Sequence, residues 1–156
     1  MALITRFVKC YTWATKLLMC LAPLVDLFIR LWLFKAFFFS GWLKTKNWQS
    51  TLTLFEQEYQ VPLISPNLAA YFGTAAELTL PVFLVLGLFG RLSALALFIF
   101  NSIIFVSYPF LWTDDGIHGL HQHITWGLLM LVIMAHGPGT LSIDYLLNKK
   151  CPKYEY

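Results

Sequence analysis

The chain has 156 residues, of which 58% are apolar, 17% aromatic and only 12% charged, with a formal net charge of +3. Soluble domains are roughly half apolar and a quarter charged, so this composition reads as a chain built for lipid. The small basic excess is spread over membrane-flanking positions, which orientation explains better than nucleic-acid binding. The signatures of soluble enzymes are also missing: no G-x-G-x-x-G opening a βα unit, no phosphate loop and no nucleophile elbow.

In chain order, residues 1–16 read as a cytoplasmic arm carrying Arg6, Lys9 and Lys16. The apolar run behind it continues far beyond the short core of a signal peptide, so the segment is expected to be retained. Four stretches reach the roughly 20 helical residues that a hydrocarbon core requires: Leu17 to Trp42, Leu68 to Phe89, Leu92 to Trp112 and His123 to Ile143. The expected fold is an all-α integral membrane four-helix bundle over residues 17–147, followed by a basic tail over 148–156.

The first span carries Asp26, Arg30 and Lys35. Asp26 and Arg30 lie one turn apart on one face, a spacing that allows an intrahelical ion pair, while Lys35 is rotated away and expected to snorkel. Gly41, near the face of Arg30, predicts a close helix approach where the span exits. Trp48, Leu52, Phe55 and Tyr59 then recur at helical spacing with polar residues between them, predicting a short interfacial helix between spans one and two. Pro62 and Pro66 end it, and Asn67 is the expected cap of span two.

In span two, Gly73, Thr74, Glu77 and Pro81 share a face, which suggests a packed interface or a small cavity. Glu77 and Arg30 each sit near the middle of an apolar run. A lone charge there costs roughly 3 kcal/mol on insertion scales, so the two are expected to face the interior and each other. Gly87, Gly90 and Arg91 form a tight return. Span three brings Asn101 at mid-depth, where Arg30 or Glu77 could satisfy its amide, and Tyr108 on the same side.

The connection from Thr113 to His123 holds Asp114, Asp115, His118, His121 and His123. Imidazoles bind transition metals and titrate near neutrality, so His118, His121 and His123 are the candidate metal ligands, although their spacing matches no established zinc pattern. The alternative is a polar loop with an interfacial His. His136 lies about 20 Å further along span four and cannot share that site; His136-Gly137-Pro138-Gly139 should end the span, with Leu141 to Leu147 lying along the interface. Cys10, Cys20 and Cys151 form no C-x-x-C, which argues against a catalytic dithiol. By the positive-inside rule both termini are cytoplasmic and the longer loops face the other side.

Several segments in this order carry a resemblance: Arg30; Ser40-Gly41-Trp42-Leu43-Lys44; Phe55-Glu56-Gln57-Glu58-Tyr59 with Val61-Pro62; Gly73 to Leu78; Leu86 to Arg91; His123 to Trp126; His136 to Gly139; and Ser142-Ile143-Asp144. Over roughly residues 20 to 147 the chain resembles the DoxX family of small bacterial four-helix membrane proteins. The resemblance implies the bacterial inner membrane and an association with membrane oxidoreductase or metal and oxidative-stress systems, the family being named from a thiosulfate:quinone oxidoreductase subunit. It points to Arg30, Lys44, Glu77, His123 and His136 as matching polar positions.

Three functional readings follow. In the first, a redox subunit holds a quinone at Arg30, Glu77, Asn101, Lys44 and Tyr108, with Glu77 and Arg30 as the reacting groups and Glu77 exchanging a proton. In the second, a non-enzymatic scaffold uses its outer loops to dock a partner in a membrane complex. The third, a proton-coupled transporter, would need at least a homo-oligomer to enclose a pathway. Whether the chain is an enzyme stays open, as does a bound metal ion.

Overall fold

The computed structural model describes residues 2–150. Cys151, Lys153 and most of the expected basic tail lie outside the described residues. Within them the chain is all-α: α1 (Ala2–Met19), α2 (Ala22–Lys46), α3 (Trp48–Gln57), α4 (Pro66–Leu86), α5 (Gly90–Ser107), a 3₁₀ turn (Pro109–Trp112), α6 (Ile117–His136) and α7 (Ile143–Lys150). The stretch Arg6–Lys46 and the helices Pro66–Leu86 and Gly90–Ser107 are long and apolar enough to cross a membrane. The fourth bundle helix, α6, has 20 residues; His118, His121 and His123 make its first turns more polar.

Helix α2 packs chiefly on α4, α4 on α5 and α5 on α6, while α2 and α6 touch lightly. Short connections make successive neighbours antiparallel. The interior is a column of Leu33, Phe37, Leu84, Ala94, Leu97, Met130 and Ile133, with Trp126 against Phe37 at 5.1 Å. Phe28, Trp32, Phe72, Leu92, Val106 and Leu128 face outward and exposed, the pattern of a lipid-bathed bundle. Phe55, Ala69 and Ala70 seat α3 on α4 in a smaller apolar cluster.

Several boundaries differ from the sequence expectation. Residues expected as an arm form α1, and the chain breaks at Cys20 and Leu21, where Pro23 occupies the first turn of α2. Proline lacks the donor that would continue α1's ladder and is tolerated where a helix begins. Helix α2 then runs about one turn past the expected exit at Trp42, through Lys44 and Lys46, the pair expected in the connection. Ser65, not Asn67, caps α4: its side chain accepts from Leu68 N, with Pro66 at the first helical position. Pro109 stops α5 at Ser107.

The His-containing connection is largely helical. Gly116 N closes on Thr113 O at 3.0 Å and Leu120 N donates to Gly116 O at 3.1 Å, so α6 starts at Ile117. Polarity marked a membrane boundary there, not a helix boundary; a spanning helix can project its first turns into the interface. At its other end α6 stops at His136 as expected, with Gly137 at φ +89°.

Candidate functional site

Gly41 sets the register of α2 on α4. A Cβ at that position would lie 2.8 Å from the Glu77 Cβ, so only glycine lets the helices approach this closely. With Gly41 beside Glu77, the antiparallel arrangement brings Ser40 and Lys44 to the carboxylate. Lys44 Nζ donates to Glu77 Oε2 at 2.7 Å and Oε1 at 2.9 Å, and to Ser40 Oγ at 2.8 Å; Ser40 Oγ donates to Glu77 Oε1 at 3.2 Å. The side chains of Lys44 and Glu77 are 11% and 5% exposed, and theirs is the salt bridge found among the described residues.

Arg30 is therefore not the partner of Glu77, contrary to the sequence expectation. It lies near Gly87, whose added Cβ would come within 2.7 Å of Arg30 Nη1, and Glu77 to Gly87 spans roughly 15 Å at 1.5 Å per residue. The buried guanidinium donates to Val85 O at 2.8 Å and to Leu141 O. Val85 is in the last turn of α4, where carbonyls lack intrahelical partners and the helix dipole favours a cation. Asp26 makes no ion pair with Arg30. Asp144 completes this end by accepting from Phe89 N at 2.9 Å and Gly90 N at 2.7 Å, which ties α7 to the start of α5.

Asn101 also finds a different partner. Its Nδ2 donates to His123 O at 3.0 Å, and its Oδ1 lies 2.7 Å from His123 Nδ1, which joins α5 to α6. His118 and His121 instead border an open groove with Lys35, Trp32 and Phe39. His123 thus faces away from the groove that His118 and His121 share, and among the described residues no three His, Cys, Asp or Glu side chains gather as a metal site. His136 sits at the far end, its Nδ1 3.2 Å from Val132 O.

Beside the Lys44 and Glu77 pair is a cavity of about 530 Å³ between the end of α3, α4 and α5. Its wall includes Phe55, Phe72, Gly73, Ile103 and Ile104, with Tyr59, Glu77 and Ser107 as the members that carry polar groups. Ser107 is 2% exposed and its hydroxyl has no hydrogen-bond partner. Such a hydroxyl normally bonds the carbonyl one turn back, so an unpaired one at a cavity wall is a donor held ready.

Tyr59 is stacked between Phe55 and Tyr108, at centroid distances of 4.7 and 4.6 Å, and Tyr108 donates its phenol to Glu58 Oε2 at 2.7 Å. Burial, reinforced by the Glu77 charge, raises the Tyr59 phenol well above its ordinary range. Burial, with the bond to Glu58, pushes Tyr108 up to about 12. Tyr108 thus supports the wall through Tyr59 rather than lining the cavity. On the other side of the ion pair, Ser40 and Lys44 border a polar cleft of about 420 Å³ between α2 and α3, with Asn47, Thr51, Gln57 and Glu58.

Ser40, Tyr59, Glu58 and Ser107 were not singled out as site residues from sequence. The four-residue spacing of Ser40 and Lys44 places them on one helix face and was available as a signal; an isolated Ser107 after an apolar helix offered none.

The DoxX family profile matches residues 25–109, which cover α2 from Val25 onward, all of α3 to α5, the ion pair and both chambers. The chain belongs to the DoxX family. A Haemophilus influenzae (strain Rd) protein named only as uncharacterized is 29% identical over 132 residues, covering 81% of this chain and 85% of that protein. No solved structure matches. The chain is accordingly a DoxX-family membrane protein with the bundle helices of a lipid-embedded fold.

Proposed function

We propose that this DoxX protein is a subunit of a membrane redox system that holds a quinone-class lipophile in the cavity bordered by Glu77 and Ser107. The observation that carries this reading is a nearly wholly apolar chamber of about 530 Å³ whose few polar wall residues include a buried carboxylate, Glu77, and a hydroxyl without a partner, Ser107, beside Tyr59. Lipophile sites have this composition: apolar walls supply affinity and a few polar atoms fix orientation. The quinone ring would lie against Tyr59 and Phe55, with a carbonyl accepting from Ser107. Arg30 and Asn101, whose hydrogen bonds are made elsewhere, drop out of the ligand shell, and Lys44 acts through Glu77.

The same reading places the protein in a bacterial inner membrane with both termini cytoplasmic. Arg91, Lys149 and Lys150 lie at the end bearing α7; at the end bearing α3 are Lys46 and Lys44, the latter neutralised by its buried pairing with Glu77, and this bias supports the positive-inside assignment. Solvent extraction of protein purified in mild detergent should yield close to one quinone per protomer. Ala76→Phe, which fills the cavity, should expel it without unfolding the bundle. Quinone absent from the unmodified protein would shift the assignment to a membrane scaffold that docks a partner.

A further inference from the structure

We propose that Lys44, Ser40 and Glu77 form a proton port between water at the α3 end of the bundle and a hydroxyl-bearing lipophile in the apolar cavity. The proposal rests on the ligand reading above and adds the side of the membrane with which the ligand's proton exchanges. Two chambers share the ion pair as their partition. Ser40 and Lys44 border the polar cleft between α2 and α3, whereas Glu77 borders the apolar cavity between α4 and α5. Between them the hydrogen bonds are continuous, at 2.8 Å from Lys44 to Ser40, 3.2 Å from Ser40 to Glu77 and 2.7 Å from Lys44 to Glu77.

The opposite direction is closed. From Glu77 toward Arg30 the bundle interior is Leu33, Phe37, Leu84, Leu97 and Met130, with no chain of polar groups. Arg30 spends its Nη donors on Val85 and Leu141 carbonyls, and Asn101 is closed on His123. The other titratable groups around the two chambers are Tyr59, on the cavity wall, and Glu58, on the cleft wall and held by Tyr108. Both lie at the α3 end and leave the sidedness unchanged.

The step is a proton transfer in which no electron moves. A ligand O–H bond breaks and a carboxyl O–H forms on Glu77, the ligand oxygen keeping the electron pair. The Lys44 ammonium releases a proton to water in the cleft and takes up the proton of Glu77, restoring the starting charges. The net change converts ligand hydroxyl and water into ligand oxyanion and hydronium, and the reverse sequence protonates the ligand. The buried pair has a use beyond register here, since one partner faces water and the other faces lipid.

Dicyclohexylcarbodiimide, a lipid-soluble reagent, adds to protonated carboxyl groups and so reports the protonation of Glu77 from the cavity side. The full chain is reconstituted in sealed vesicles, its orientation scored by protease cleavage of a C-terminal tag, and the pH is set independently on the two sides. Peptide mass spectrometry should find an adduct on Glu77 whose yield rises several-fold when only the α3-side buffer is acidified, and which is indifferent to the other side. Acetylation of Lys44 by a membrane-impermeant reagent from the α3 side should abolish that response. Labelling that follows the opposite buffer, or neither, overturns the port and leaves the cavity standing. No Glu77 adduct at any pH overturns the cavity reading and the port together; Glu77→Gln provides the unlabelled control.

Discussion

Replacing Lys44 by Met isolates the energetics of the ion pair. The Glu77 side chain is 5% exposed and its bonds come from Lys44 and Ser40, so Lys44→Met leaves a carboxylate almost without compensation. Breaking a buried pair in this way costs about 3–5 kcal/mol. The loss has a ceiling, because the orphaned acid can take up a proton, and neutralising an ordinary carboxyl at neutral pH costs about 3.7 kcal/mol, falling by about 1.4 kcal/mol for each unit of acidification. The Lys44→Met penalty should therefore be about 3–4 kcal/mol near neutrality and about 2 kcal/mol smaller at about pH 5.5. Lys44→Met with Glu77→Met removes both charges and should return to within about 1 kcal/mol of the parent, because apolar replacement of a whole buried pair is often neutral. Unfolding in mixed micelles, followed by tryptophan fluorescence at the two pH values, measures all three. A single variant as stable as the parent at neutral pH, or a double variant no better than the single, would refute the reasoning.

Further outcomes follow from the same contacts. Gly41→Val forces a Cβ against Glu77 Cβ, now 2.8 Å away, and should lower stability by about 1–3 kcal/mol through separation of α2 and α4, read in the same unfolding assay. Arg30→Met removes donors to Val85 and Leu141 carbonyls and should destabilise by about 2 kcal/mol while leaving extractable quinone unchanged. Asp144→Ala uncaps Phe89 N and Gly90 N and should cost about 1–2 kcal/mol, with faster amide exchange confined to the start of α5 and to α7. Burial and the hydrogen bond to Glu58 push the Tyr108 phenol up to about 12. Its raised value contributes stability that is intact below about pH 10 and lost as pH rises through the folded value, so difference absorbance against Tyr108→Phe should show one late-titrating phenol.

Composition and apolar run length made the bundle legible, and helical spacing made α3 legible as a surface helix, because both depend on a single helix meeting a single environment. The small residue at Gly41 correctly announced a close approach. What single-helix periodicity lacks is register between helices, and the charge partners follow from register. Taking the middle of each apolar run as the same depth paired Arg30 with Glu77, whereas the Gly41 contact slides α2 along α4 and gives Glu77 to Lys44. The same limit separated the histidines: polarity suggested a loop that could gather His118, His121 and His123, but continuation of α6 fixed His123 on the face toward Asn101. Ser107 was illegible for another reason, since its meaning lies in a hydrogen bond not made.

Arg30 and Glu77 are both buried ions in apolar helices, and burial alone would give them equal claim to function. Their partners separate them. Arg30 faces main-chain carbonyls at the end of α4 and before α7, groups that cannot titrate and that any folded state of this bundle would need to satisfy. Glu77 faces a side chain that can exchange protons and borders a space that no side chain fills. A fastener should be replaceable by another group that satisfies those carbonyls with only stability at stake, whereas a site should lose ligand when its chemistry changes at constant fold. Arg30→Lys and Glu77→Gln make that comparison directly. Retention of quinone in Arg30→Lys and its loss in a folded Glu77→Gln would support the assignment of roles, and the reverse outcome would transfer the site to the α7 end of the bundle.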